Sequence, residues 1–152
     1  MQDLKILNSK EVKKILKILE SQFGFKDKLE FVFLQSSKDR LYIVNRDIER
    51  IELEKLRVNA LGLYFATIAK DGIRLSIEGS QIIGPKAKKN ILELTDFQFE
   101  FWLKGIDMKI ENDLEGFVLV KHGKDFVGCG KLKEGTLLNY VPKSRRLVVV
   151  NN

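Results

Sequence analysis

Gly116, Gly123, Gly128, Gly130 and Gly135 cut the last third of this chain into short apolar pieces, and no other feature limits its fold as much. Glycine weakens a helix interior and suits a turn. The pieces between the glycines run apolar for only a few residues, as in Phe117-Val118-Leu119-Val120 and Phe126-Val127. They predict strands over 108–110, 117–121, 126–131, 136–139 and 147–150. A sheet of such short strands has exposed edges, and closure into a small barrel removes them.

Upstream the pattern changes. Asn8-Ser9-Lys10-Glu11 has the form of a capping box, and Val12, Ile15, Leu16 and Leu19 follow at helical spacing up to Gly24. Lys10, Lys13, Lys14 and Lys17 share the opposite side and read as a solvated face. Residues 29–35 and 40–45 predict a hairpin, and Asn45 is placed to cap a short helix through Ile48, Ile51 and Leu53. A second hairpin is expected around Asp71-Gly72, between 61–69 and 73–77, with a further strand at 80–83 ended by Gly84-Pro85. Composition shifts at Lys86-Ala87-Lys88-Lys89-Asn90, a run that either touches phosphate or forms a solvated linker. Thr95 is placed to cap a helix to Leu103, with Phe97, Phe101 and Trp102 on its buried side and Gly105 past its end. The expected fold class is α+β: a small amino-terminal α/β domain over 1–88, then a pseudo-β-barrel over 89–152.

Charge is localised in the same tail. Residues 116–152 hold seven Lys or Arg against Asp125 and Glu134, a net of +5, whereas 1–115 carry +1. A basic β module suits a polyanion, because each cation that neutralises a phosphate releases condensed counterions. With 44% apolar residues, the 152-residue chain has enough to bury a core. Abundant Lys and Glu with few Cys and Met is a composition favoured at high temperature. No apolar run approaches the roughly 20 residues that span a bilayer, and Met-Gln-Asp-Leu-Lys does not open like a signal peptide. A cytoplasmic location without membrane contact is expected.

Several chemistries are missing. The single Cys129 and single His122 exclude an internal disulfide, a multi-cysteine zinc site and a His-rich metal centre. There is no Gly-rich turn feeding alternating βα units, as a doubly wound methyltransferase needs, and no phosphate-binding loop. Cys129 reads as a small packed strand residue. His122 reads as an exposed residue at a hairpin tip or as an RNA contact. Phe97, Phe99, Phe101 and Trp102 favour core packing over a platform for bases. No catalytic site, cofactor or metal is expected.

The segments Trp102-Leu103-Lys104-Gly105, Gly116-Phe117-Val118-Leu119-Val120, Asp125-Phe126-Val127-Gly128-Cys129-Gly130-Lys131 and Leu138-Asn139-Tyr140-Val141-Pro142-Lys143-Ser144-Arg145-Arg146 resemble PUA domains. The similarity is strongest to the PUA-like tail of Sun/Fmu-type RNA cytosine methyltransferases, with Val141 interposed before Pro142. Upstream, Tyr42-Ile43-Val44-Asn45, Leu61-Gly62 with Phe65-Ala66-Thr67-Ile68, and Ile83-Gly84-Pro85-Lys86-Ala87 resemble the amino-terminal domain of Nip-seven ribosome-biogenesis factors, which precedes a PUA domain. The resemblance implies RNA binding without chemistry, in rRNA maturation, ribosome biogenesis or RNA modification. The RNA would be ribosomal or transfer RNA, with a possible protein partner in those processes. An alternative is an adaptor that presents RNA to a separately encoded modifying enzyme such as a methyltransferase.

The expected RNA site comprises Lys121, Lys131, Lys133, Asn139, Tyr140, Lys143, Arg145 and Arg146. Arg grips phosphate in a fork and stacks on unstacked bases, Asn139 and Tyr140 add an amide and a ring, and Gly128 and Gly130 are read as points of close approach.

Overall fold

The computed structural model describes residues 4–45 and 62–148. β1 (Leu4–Ile6) leads into α1 (Ser9–Phe23), whose start is fixed by the expected capping box. The Glu11 amide donates to Asn8 Oδ1 at 2.9 Å and the Asn8 amide donates to Glu11 Oε1 at 3.2 Å. Gly24, left-handed at φ 66°, ends the helix. β2 (Phe31–Ser36) pairs with β3 (Arg40–Asn45), and β4 (Leu63–Ala69) with β5 (Gly72–Leu75). The second turn is Lys70-Asp71, because Ala69 pairs with Gly72, one residue earlier than expected. These five strands form an antiparallel sheet in sequential order. The short helix expected through Ile48, Ile51 and Leu53 lies outside the described residues.

The strand expected at 80–83 is instead part of a helix, α2 (Ile77–Ile83). Ser76 Oγ accepts from the Gly79 amide at 2.9 Å and starts it. A short apolar run fits a buried helical turn as well as a strand, and here the cap decides. A 3₁₀ turn, Gly84–Lys86, follows. The Lys86-to-Asn90 run is tied down: the Lys88 amide donates to Phe23 O at 2.7 Å, and Asn90 Nδ2 donates to Gln22 O at 2.5 Å. It satisfies carbonyls at the end of α1 that the helix itself leaves without partners.

The second sheet runs β6-β8-β9-β10-β7. Its members are β6 (Ile91–Glu93), β7 (Met108–Lys109), β8 (Gly116–His122), β9 (Asp125–Lys133) and β10 (Thr136–Leu138). All pairings are antiparallel except β6 with β8, and the parallel β6 was not foreseen. α3 (Asp96–Leu103) carries the expected Thr95 cap, with Gln98 completing a capping box. Phe97, expected in the core, is 69% exposed and Trp102 is buried. Leu147 and Val148 form no strand; the Leu147 amide donates to Leu103 O at 2.7 Å, which draws the tail along the end of α3.

Two main cores meet in one strand. Phe117 and Leu119 of β8 join Phe23, Phe65, Ile73 and Ile83 in the first, while Val118 and Val120 join Trp102, Leu132, Leu137 and Val141 in the second. Alternate residues of a strand face opposite sides, so a continuous apolar run implies burial on both. Phe126 and Cys129 of β9 also enter the first core, which therefore extends across both sheets. A smaller cluster, Val32, Leu34 and Val44, covers the other face of the first sheet.

Candidate nucleic-acid interface

The tail after β10 is held by Asn139. Its Nδ2 donates to Trp102 O at 2.9 Å and to Ile106 O at 3.3 Å, and its Oδ1 accepts from the Val141 amide at 2.9 Å. The Asn139 amide donates to Asp107 Oδ1 at 2.8 Å. The side chain thus satisfies carbonyls at the end of α3 and turns the chain. Arg146 supports the same turn: its Nε donates to Val141 O at 2.9 Å, and its side chain lies over Gly105, where any Cβ would collide with it. Both residues position the tail.

Tyr140, Lys131 and Arg145 meet the amino-terminal half. The Arg74 guanidinium sits 4.2 Å from the centre of the Tyr140 ring. Arg145 pairs with Glu78 of α2. Lys131 Nζ lies 2.6 Å from Asp71 Oδ2 and 5.3 Å from the centre of the Phe117 ring. The hydrogen bond from Lys131 lowers the pKa of Asp71, and the same bond raises that of Lys131. Lys121 reaches over Phe126 at 5.5 Å, apart from this group, while Lys133 and Lys143 are exposed and pair with no carboxylate of a described residue.

Gly128 and Gly130 are buried, which corrects their reading as points of approach for a ligand. A Cβ on Gly128 would lie 2.8 Å from Trp102 Cζ2, and one on Gly130 would lie 2.6 Å from Leu137 Cδ1. Their close neighbours are the protein's own side chains. Trp102 Nε1 donates to Val127 O at 3.1 Å, so the ring is fixed against β9. His122 is also not a free turn residue: it ends β8, with Nε2 2.8 Å from Asp96 Oδ1 and its ring stacked on Phe99 at 4.0 Å. Cys129 is 3% exposed, and burial pushes its thiol pKa up to about 12, which leaves a neutral, packed group.

The sequence reading missed Arg40, Arg74, Tyr64 and Glu78. All four line a cleft with Tyr140 and Arg145. Arg40 and Arg74 carried a local signal, since they alternate with core residues, Arg40 with Leu41 and Ile43 on β3 and Arg74 with Ile73 and Leu75 on β5, and so face away from that core. Among the described residues no group of acids, histidines and cysteines could hold a metal ion, and no helix is long and apolar enough to cross a membrane.

The second sheet, with its capped helix α3 and the basic tail, is the part of this α+β chain that is similar to a PUA domain. Residues 89–147 match the family described as the Methyltransferase RsmF PUA domain. Across 147 residues the chain is 26% identical to the ribosomal RNA small subunit methyltransferase F of Aeromonas salmonicida (strain A449), covering 96% of this chain and 30% of that protein. The chain therefore spans 30% of the length of this curated relative.

Proposed function

We propose that this chain binds RNA through its PUA-like unit and serves ribosomal RNA modification or maturation in the cytoplasm, without performing the chemistry itself. The observation that carries this reading is the match of residues 89–147 to the PUA domain of an rRNA methyltransferase, on a tail that holds most of the chain's excess positive charge. We take 1–88 and 89–152 as its two structural units. RNA contacts are assigned to Lys121, Lys131, Lys133, Tyr140, Lys143 and Arg145, with Asn139 and Arg146 holding the tail that presents them.

Titration of the full chain with single-stranded ribosomal RNA fragments at several salt concentrations tests this. With four to six phosphates contacted, log affinity falls against log salt with a slope of roughly −3 to −5. Lys133→Ala and Lys143→Ala each weaken binding a few-fold, by about 0.5 to 1 kcal/mol for exposed charges. Lys13→Ala and Lys17→Ala on α1 make the same charge change away from the tail and leave affinity unaltered. Equal losses in both sets would move the RNA onto the amino-terminal face, where Lys17 shares a groove with Lys26, Lys88 and Lys89.

A second reading, the adaptor, draws support from the relative being itself a methyltransferase. In that case the chain retains a modifying enzyme in a pulldown after nuclease treatment.

A further inference from the structure

The cleft between the amino-terminal sheet and the tail has a volume of about 500 Å³, the range of sites that hold small ligands. Among the described residues three guanidiniums line it, those of Arg40, Arg74 and Arg145, against the single carboxylate of Glu78. Arg145 is the one that Glu78 neutralises. Neither Arg40 nor Arg74 pairs with a carboxylate of a described residue.

Arg74 is held in an unusual way. Its charge rests over the Tyr140 ring, a contact that uses none of its N–H groups, and no described residue accepts a hydrogen bond from its guanidinium. Arg40 stands 5.8 Å from the centre of the Tyr64 ring in the same cleft. Apart from Ser76 and Ser144, the remaining described wall is apolar and aromatic, with Trp102 and Cys129 buried at its back. Such a site has two demands, an anionic group for the two guanidiniums that no described carboxylate neutralises and a flat, weakly hydrated group for the aromatic wall. A nucleotide meets both, since guanidinium grips phosphate and also stacks on bases.

We propose that this cleft takes one unstacked nucleotide, with Arg40 and Arg74 on its phosphate and base edges and Tyr140 fixing Arg74. The proposal rests on the RNA-binding reading above and extends it: it moves the centre of the site from the tail alone to the seam, and adds two amino-terminal arginines. The shared chemistry is a nucleoside monophosphate, as a residue of an RNA strand or as a free nucleotide.

Trp102 is the chain's single tryptophan and lines the cleft, so its fluorescence reports occupancy. The full chain is titrated with a single-stranded RNA oligonucleotide and, separately, with AMP, GMP, CMP and UMP. Arg74→Ala and Arg40→Ala each weaken RNA binding about tenfold, in line with the loss of a hydrogen bond between charged groups. Arg74→Lys keeps the charge but not the planar fork, and restores only part of the loss. Lys109→Ala, on β7 outside the cleft, stays within about twofold of wild type, as for an isolated surface charge. If RNA binds but the two arginine variants match Lys109→Ala and Trp102 does not respond, the cleft assignment is wrong and RNA binding by the tail stands. If RNA fails to bind while a mononucleotide gives a saturable Trp102 response that Arg74→Ala abolishes, the cleft is a free-nucleotide site and the RNA reading falls. No response to either ligand removes both.

Discussion

At the scale of single residues, Cys129 and Asp71 show two different uses of an ionisable group, packing and pairing. Cys129 belongs to the first kind. Its thiol is buried among Phe117, Leu119 and Ile73 in the core that spans both sheets. Cys129→Ala should lower stability by about 1 kcal/mol and leave RNA affinity within a few-fold, as thermal melts and binding titrations on the same sample will show. Asp71 belongs to the second kind. Its pKa is depressed below 3.8 by the hydrogen bond from Lys131, so the pair adds stability above the unfolded-state pKa and loses it as pH falls through the lower folded value. The melting difference between wild type and Asp71→Asn is therefore full near neutral pH and shrinks below 3.8. A difference that grew on acidification would contradict the pairing.

Elements show which contacts local sequence reveals. The caps of α1 and α3 were legible because the bonding residues lie three apart in the chain, Asn8 with Glu11 and Thr95 with Gln98. β3 was read at its observed bounds, since turn chemistry brackets it. β6 was not legible: three residues carry no period, and its partner β8 is far along the chain and parallel to it. The site divides in the same way. The basic tail could be read from charge alone, whereas Arg40 and Arg74 reach the cleft only through the packing of two sheets. Gly128 was noticed and given the wrong neighbour. Its φ of 148° is unfavourable for any side chain, and the atom it would strike belongs to Trp102. Gly128→Ala should cost about 1 to 3 kcal/mol through overpacking and backbone strain, and should disturb Trp102 fluorescence in the free protein.

For the whole molecule, the shared core decides what can be separated. Residues 89–152 taken alone would expose Phe117, Leu119, Phe126 and Cys129, which pack on the amino-terminal half. Burying side chains of this size is worth roughly 1.5 to 3 kcal/mol each, comparable in sum with the net stability of a small domain. The excised segment should therefore melt without a cooperative transition, or bind a hydrophobic dye, where the full chain does neither. Calorimetry on the two polypeptides measures this directly, and a sharp transition in the excised segment would show that the second core suffices.

The two-sided burial of β8 also constrains how this sequence can drift. Phe117 and Leu119 answer to α1 and β5, while Val118 and Val120 answer to α3 and the tail. A chimaera that grafts the basic tail of a distant relative onto these first 88 residues would inherit a strand fitted to only one of its neighbours. To work, it would have to import the facing residues Phe23, Ile73 and Ile83 as well, so the two halves are inherited as a matched set.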